Sequence, residues 1–140
     1  MAKAVIIYWS ATGNTESMAM AIERGIRNNI SDVSITQVAQ ATTDMVEVAD
    51  LVVLGCPAMG VEELEEYEFA PFYEEIKSLL SGKKVALFGS YDWGDGEWMR
   101  NWEEDVKSTG ADLVEAGYIH LYGLDGEEED ALAFADRISK

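Results

Sequence analysis

The stretch that decides the fold runs from Val5 to Thr15 and reads VIIYWSATGNT. Its first four residues form a continuous apolar run, which is typical of a parallel strand covered on both faces. The hydroxyl-rich remainder leads into a helical pattern that places Met18, Ile22 and Ile26 on one stripe. A strand, a short polar loop and an amphipathic helix in this order predict the first unit of an α/β fold.

The rest of the chain repeats this alternation. Further strands are predicted over 33–36, 51–55, 85–88 and 118–122. Helices are predicted over 44–49 and around three apolar stripes, which are Phe72, Ile76, Leu79 and Leu80; Trp98, Trp102 and Val106; and Ala131, Phe134, Ala135 and Ile138. Five strands alternating with about five helices predict one α/β domain over residues 1–140, a doubly wound sheet with helices on both faces. Ligands of such sheets bind outside the carboxyl ends of the strands, so the loops there carry the functional prediction.

Charge and composition narrow the class of partner. The 140 residues include 27 acidic and 10 basic side chains, a net charge of −17, which disfavours nucleic acid and anionic lipid and favours basic protein surfaces. Simple solubility is the alternative explanation of this charge. The apolar runs are far shorter than the roughly 20 residues of a membrane span, and the N-terminus shows no signal-peptide pattern. With Cys56 as its one cysteine, the chain is expected to be a cytoplasmic monomer without disulfides.

The loop of residues 10–15 has the composition of an anion site. Three hydroxyls and one glycine precede the first helix, whose N-terminal N–H groups and dipole favour a negative charge. The loop contains no lysine or arginine, which argues against an ATP-binding P-loop, and it lacks the three glycines of a dinucleotide fingerprint. An ordinary capped helix start is the alternative.

Two later loops follow the next buried strands, over residues 55–63 and 89–97. The second places Trp93 among glycines, and an aromatic ring on such a loop suggests stacking on a planar partner. The alternative is a tryptophan folded over the helix below.

Taken together, three segments of these loops resemble flavodoxins, most closely the short-chain kind found in anaerobic bacteria. The segments read SATGNT over 10–15, GCPAMG over 55–60 and GSYDWG over 89–94, and the resemblance extends over essentially the whole chain. It implies a five-stranded parallel sheet in the order 2-1-3-4-5 and non-covalently bound flavin mononucleotide (FMN). It also implies a low-potential electron carrier that cycles between semiquinone and hydroquinone.

The resemblance also implies roles for individual residues. The phosphate would be held by Ser10, Ala11, Thr12, Gly13, Asn14 and Thr15. Met59 would cover one face of the isoalloxazine ring and Trp93 the other, with Pro57 and Ala58 in the same binding loop as Met59. The backbone of Gly60 and Val61 would face the flavin N5, and Glu62 would accept a hydrogen bond from N3. The pyrimidine and ribityl side would be lined by Ser90, Tyr91, Asp92 and Gly94.

Two positions depart from the family pattern. Val61 follows the loop glycine, where a small or turn-favouring residue is common, and a β-branched side chain resists the positive φ of a type II turn. We therefore expect a less stabilised semiquinone than in relatives. Asp92 stands where glycine is common, and its carboxylate is expected to repel reduced flavin.

Other residues are predicted to be structural. These are the thiol of Cys56, the strand residue His120, the acidic runs over 62–66 and 127–130, and the core residues Trp98 and Trp102. Because the loops hold no nucleophile–base pair, we expect an electron carrier without its own substrate and without a metal. A small FMN-dependent reductase and a dedicated flavoprotein activator of a metalloenzyme remain as alternatives.

Overall fold

The computed structural model describes residues 2–11, 13–59, 64–91, 94, 96–121 and 128–140. Its strands are β1 Lys3–Tyr8, β2 Asp32–Gln37, β3 Leu51–Gly55, β4 Lys84–Tyr91, β5 Asp112–Leu113 and β6 Tyr118–Leu121. Its α-helices are α1 Asn14–Ile26, α2 Thr43–Glu47, α3 Phe69–Ile76, α4 Glu97–Ser108 and α5 Glu129–Ser139. Short 3₁₀ helices cover Val38–Gln40 and Lys77–Leu79.

The strands form one parallel sheet in the order β2-β1-β3-β4-β5, with β6 also paired to β4. β1 lies inside the sheet, where Ile6 is opposite both Ile35 of β2 and Val53 of β3. The carboxyl ends of the central strands meet at one edge, since Gly55 is opposite both Tyr8 and Phe88. The predicted fold class and strand order are confirmed.

The last position of the sheet differs in detail from the prediction. β5 pairs with Lys84 and Val85 at the start of β4, and β6 pairs with residues 88–91 at its end, so two segments share this edge. The sequence predicted only the second, over 118–122, and Tyr122 lies outside the described residues. A two-residue strand is too short to show the alternation that reveals longer strands.

A helical layer covers each face of the sheet. α1 and α5 pack on one face, around Met18, Ile22 and Phe134, and Gly25 allows the close approach because a Cβ there would overlap Ala135. α2, α3 and α4 pack on the other face. Trp98 and Trp102, at 2% and 3% exposure, belong to that second core, as predicted.

None of the helices in the described ranges combines the length and the apolar character needed to cross a lipid bilayer.

Candidate functional site

A cleft of about 230 Å³ opens at the carboxyl ends of β1, β3 and β4. Its described lining consists of Trp9, Ser10, Ala11, Asn14, Thr15, Pro57, Ala58, Met59, Ser90 and Tyr91. Apart from Trp9, these residues come from the three loops that the sequence singled out, and each loop contributes. The fold therefore brings together segments that are far apart in the chain, from Trp9 to Tyr91, at the edge where ligands of such sheets bind.

The first loop is shaped by Ser10 and Gly13. The Ser10 Oγ accepts hydrogen bonds from the backbone N–H of Gly13 at 3.1 Å and of Glu16 at 3.3 Å, which ties the loop to the first turn of α1. Gly13 is the N-cap of α1 and has φ of +93°, a left-handed conformation that other residues adopt only at a cost. The N–H groups of the first turn have no partner within the helix, so the start of α1 presents donors beside the cleft.

A buried pair of hydroxyls links α1 to β4. The Oγ1 of Thr15 and the Oγ of Ser90 are 2.8 Å apart, and the two residues are 1% and 4% exposed. One hydroxyl donates to the other, so the pair leaves one hydroxyl hydrogen for a further acceptor. The contact also fixes the first turn of α1 against the end of β4.

The second loop continues along β4 after β3 ends. The N–H of Cys56 donates to the Phe88 carbonyl at 3.2 Å, and the N–H of Ala58 donates to the Ser90 carbonyl at 3.0 Å. Pro57, Ala58 and Met59 are half-buried and line the cleft.

Trp9 lines the cleft although it is not among the residues predicted for the site. Its indole Nε1 donates to the Glu68 carboxylate at 2.9 Å, and its ring contributes to the cleft. The available signal was its place directly after the apolar run of β1, at the strand end where ligands bind.

A buried carboxylate holds the turn that leads into α3. Glu65 is 4% exposed, and its Oε1 accepts from the N–H groups of Glu68 and Phe69 at 2.7 and 2.8 Å. Its Oε2 accepts from the N–H of Tyr67 at 2.9 Å. Glu65 thus caps α3 with a negative charge, which bears out the structural interpretation of this member of the acidic run.

Cys56 lies behind the loop and is fully buried. Its Sγ accepts the Glu65 N–H at 3.4 Å, and burial raises the pKa of the thiol to about 12. A thiol that stays protonated at neutral pH is a poor nucleophile, in agreement with its predicted structural role.

None of the described lining residues of the cleft is charged, so the groups that border it directly are dipoles. The carboxylate of Glu16, in the first turn of α1, accepts the Tyr8 hydroxyl at 2.8 Å and is not among the lining residues. Burial, together with Glu16, raises the pKa of Tyr8. An anion in this cleft would be held by backbone N–H groups, hydroxyls and the α1 dipole.

The predicted site residues fall into three groups. Nine of them line the cleft: Ser10, Ala11, Asn14, Thr15, Pro57, Ala58, Met59, Ser90 and Tyr91. Gly13 caps α1, and Gly94 lies on an exposed turn with φ of +85°. The predictions for Thr12, Gly60, Val61, Glu62, Asp92 and Trp93 concern positions outside the described residues.

The donor chemistry of the cleft fits the phosphate end of a flavin nucleotide. Ser10, Asn14, Thr15 and Ser90 offer hydroxyl and amide donors at a helix N-terminus, and Met59 offers an apolar surface in the same cleft. Across the described ranges, no three histidine, cysteine or carboxylate side chains are grouped so that they could hold a metal ion.

Comparison with known proteins identifies the family. The family model described as flavodoxin matches residues 6–135. The flavodoxin of Clostridium beijerinckii is 48% identical over 134 residues, which cover 96% of this chain and 97% of that protein. The flavodoxin of Megasphaera elsdenii is 47% identical over 109 residues, which cover 78% and 80%. The solution structure of two-electron reduced M. elsdenii flavodoxin superposes with a TM-score of 0.89 at 40% identity, covering 97% of this chain and 98% of that one. The chain belongs to the flavodoxin family of electron-transport flavoproteins.

Proposed function

We propose that this chain binds FMN non-covalently in the cleft and carries electrons between proteins, without a substrate of its own. The observation that carries the proposal is the start of α1, which opens on an uncharged cleft lined by hydroxyls. A phosphate supplies the negative charge that such a helix start favours, and an arginine or lysine is not required for it.

In this proposal the FMN phosphate lies at residues 10–15, where Ser10 and Thr15 donate with the first-turn N–H groups of α1. Met59 packs on one face of the flavin ring and Trp93 on the other, which excludes water from both. Residues 60–62 face N5 and N3 of the ring, and residues 90–94 face its pyrimidine and ribityl side.

The charge of the chain sets the direction of the redox potential. Each electron added to the flavin brings negative charge into a protein of net charge −17, and no described lining residue is cationic. Reduction to the anionic hydroquinone is therefore costly, which lowers its potential. The bound flavin supplies the electron chemistry, shuttling one electron between semiquinone and hydroquinone, and the protein tunes it.

In this proposal the partners are redox proteins with basic docking surfaces. The chain itself is a single-domain monomer in the cytoplasm. Opposite charge increases the rate of encounter with such partners, most strongly at low ionic strength.

The visible spectrum of the purified protein during stepwise anaerobic reduction tests this function. We expect a yellow protein that passes through a blue neutral semiquinone before it bleaches. Unfolding in denaturant should release free FMN, identified by its mass, because the binding is non-covalent. A colourless protein that leaves the spectrum of added FMN unchanged would contradict the proposal.

A further inference from the structure

A row of aromatic rings leads from the cleft into the second core. Tyr91 lines the cleft at the end of β4, and its ring centroid is 5.8 Å from that of Trp98 in α4. Trp102 follows Trp98 by one helical turn, so the two indoles are neighbours on the buried face of α4. The Trp102 ring meets the Tyr73 ring of α3 edge to face, with the centroids 6.2 Å apart. These four residues are called the aromatic row.

The aromatic row is closely packed. Trp98, Trp102 and Tyr73 are 2%, 3% and 4% exposed, and Phe69 packs edge to face against Trp102 with the centroids 5.4 Å apart. Close packing keeps such rings in fixed positions relative to one another. Indole and phenol rings lose an electron far more easily than aliphatic side chains do, and electron transfer between two rings becomes rapidly slower as their separation grows. A series of neighbouring tryptophan and tyrosine rings is therefore a path along which single electrons move.

The two indoles of the row are poorly placed to lose a proton. The Trp98 Nε1–H donates to the backbone carbonyl of Cys56 at 3.3 Å, and a carbonyl is a weak base. The Nε1 of Trp102 is buried without a hydrogen-bond partner among the described residues. An oxidised indole in either place consequently keeps its proton and remains a strong oxidant, ready to take an electron from the next ring.

The last ring of the row differs, because the Tyr73 hydroxyl donates to the Asp105 carboxylate at 2.7 Å. Partial burial opposes ionisation of Asp105, but its hydrogen bonds with Tyr73 and Lys77 hold the pKa of the carboxyl below its usual value. Burial and the bond to Asp105 raise the pKa of the Tyr73 hydroxyl, so the intact phenol keeps its proton. A phenol that has lost an electron is a strong acid, and an oxidised Tyr73 would therefore pass its proton to Asp105.

We propose that the aromatic row is an electron relay, which moves an oxidising equivalent from the flavin site to Tyr73. Trp98 gives one electron to the light-excited flavin across the ring of Tyr91. Trp102 then reduces Trp98. Tyr73 reduces Trp102 in turn, while its hydroxyl proton passes to Asp105. The proposal rests on the FMN site proposed above and assigns to it a further activity, which is light-driven charge separation.

Electrons and protons balance in this sequence of steps. The flavin gains one electron, Tyr73 loses one electron and one proton, and Asp105 gains the proton. Light supplies the energy, and no other oxidant or reductant takes part. The electron and the proton later return to Tyr73, which restores the starting state. Because this return includes a proton transfer from Asp105, the separated state outlives one in which an indole carries the positive charge.

The test applies laser-flash absorption spectroscopy to the FMN-loaded, oxidised protein without dioxygen, and it follows the radicals of the aromatic side chains. Tyr73→Phe removes the end of the row, Trp102→Phe interrupts it, and Asp105→Asn removes the base while it keeps a side chain of similar size. The matched controls lie on the opposite face of the sheet. They are Tyr118→Phe in β6 and Asp136→Asn in α5, where the aspartate is half-buried like Asp105.

We expect the wild type and both controls to form a long-lived tyrosyl radical together with the one-electron-reduced flavin. Tyr73→Phe and Trp102→Phe should lose this radical. Asp105→Asn should lose it as well and show a tryptophan radical that decays faster, because the base is gone. In heavy water the wild-type tyrosyl radical should form more slowly, since its formation moves a proton. Flavin fluorescence should be equal in all variants, because its quenching depends on the rings that contact the flavin.

The same long-lived radical in wild type and Tyr73→Phe, or no tyrosyl radical in the wild type, would overturn the relay. Tyr73→Phe removes a single hydroxyl, so it keeps the test decisive even if Trp102→Phe does not fold. A yellow wild-type protein without the radical would leave the proposed carrier function standing. A wild-type protein that fails to take up FMN would instead overturn both proposals.

Discussion

The starts of α1 and α3 differ in how their first-turn backbone N–H groups find acceptors. At α3 the chain provides its own anion, because the buried Glu65 carboxylate accepts three backbone N–H groups. At α1, among the described residues, the side-chain oxygen that accepts a first-turn N–H is the neutral hydroxyl of Ser10, and the N-cap is Gly13. The start of α3 is therefore complete in itself, whereas the start of α1 is suited to an anion from outside.

This difference distinguishes acidic and hydroxyl side chains that stabilise the fold from those that bind a ligand. Both helix starts follow loops at the carboxyl edge of the sheet, so position alone does not distinguish them. The distinction lies in whether a side chain of the chain itself satisfies the N–H groups of the helix. Removing that side chain should affect stability at α3 and ligand binding at α1.

The largest effect is expected for Glu65→Ala. Three backbone N–H groups lose a charged acceptor in a buried setting, which should lower the free energy of unfolding by about 3 kcal/mol. Urea unfolding of the apoprotein measures this, with the exposed neighbour variant Glu66→Ala as a control expected to lose less than about 0.5 kcal/mol. Similar losses in the two variants would mean that Glu65 does not cap α3.

Gly13→Ala tests the start of α1. The substitution forces alanine into φ of +93°, and nothing lies within 4 Å of the added Cβ, so strain alone should cost about 1–2 kcal/mol of stability. Gly82→Ala is a matched control, with φ of +79° and the same open space. Both variants should lose similar stability in urea unfolding, but only Gly13→Ala should also lose FMN affinity in a fluorescence titration. Equal FMN affinity in both variants would show that Gly13 is not part of the binding site.

Thr15→Val tests the buried hydroxyl pair. The change leaves the Ser90 hydroxyl without its partner and should cost about 1 kcal/mol of stability. The double variant with Ser90→Ala should lose less than the sum of the two single variants, because neither hydroxyl is then left unpaired. Strict additivity in urea unfolding would contradict the contact. FMN affinity should fall in Thr15→Val more than riboflavin affinity.

The smallest effect concerns Cys56, which supports the start of α3 by accepting the Glu65 N–H. Burial raises the pKa of the folded thiol from 9.0 to about 12. Its contribution to stability is therefore present below pH 9 and is lost as the pH rises toward 12, because the unfolded thiol ionises first. At pH 8 the native protein should not react with Ellman's reagent, whereas the protein in denaturant should react at once. Rapid labelling of the native protein would show that Cys56 is exposed.

The long strands and the helices were predictable because their signal is local and periodic, whereas the order of the strands in the sheet was implied by the resemblance to flavodoxins. Val5–Tyr8 and Leu51–Gly55 are apolar throughout, as central parallel strands must be, and the stripe of Met18, Ile22 and Ile26 defines the inner face of α1. β5 was not predictable from the sequence, since two residues carry no period.

Parts of the site were not predictable because they depend on contacts between distant residues. Glu65 is the buried member of a run of similar acids, and only the fold selects which carboxylate turns inward. Trp9 and Glu68 are 59 residues apart, so the hydrogen bond between them depends on the fold, which brings the residue after β1 next to the residue before α3. The residues of 10–15 were predictable because hydroxyls and glycine before a helix have a direct chemical meaning.

The most direct test of the central claim compares FMN with riboflavin, which differ only in the phosphate. Isothermal titration of the apoprotein should give FMN an affinity more than about 100-fold higher, since the start of α1 and the hydroxyls of the cleft act on the phosphate alone. Equal affinities for the two flavins would show that the start of α1 holds no phosphate and would contradict the account.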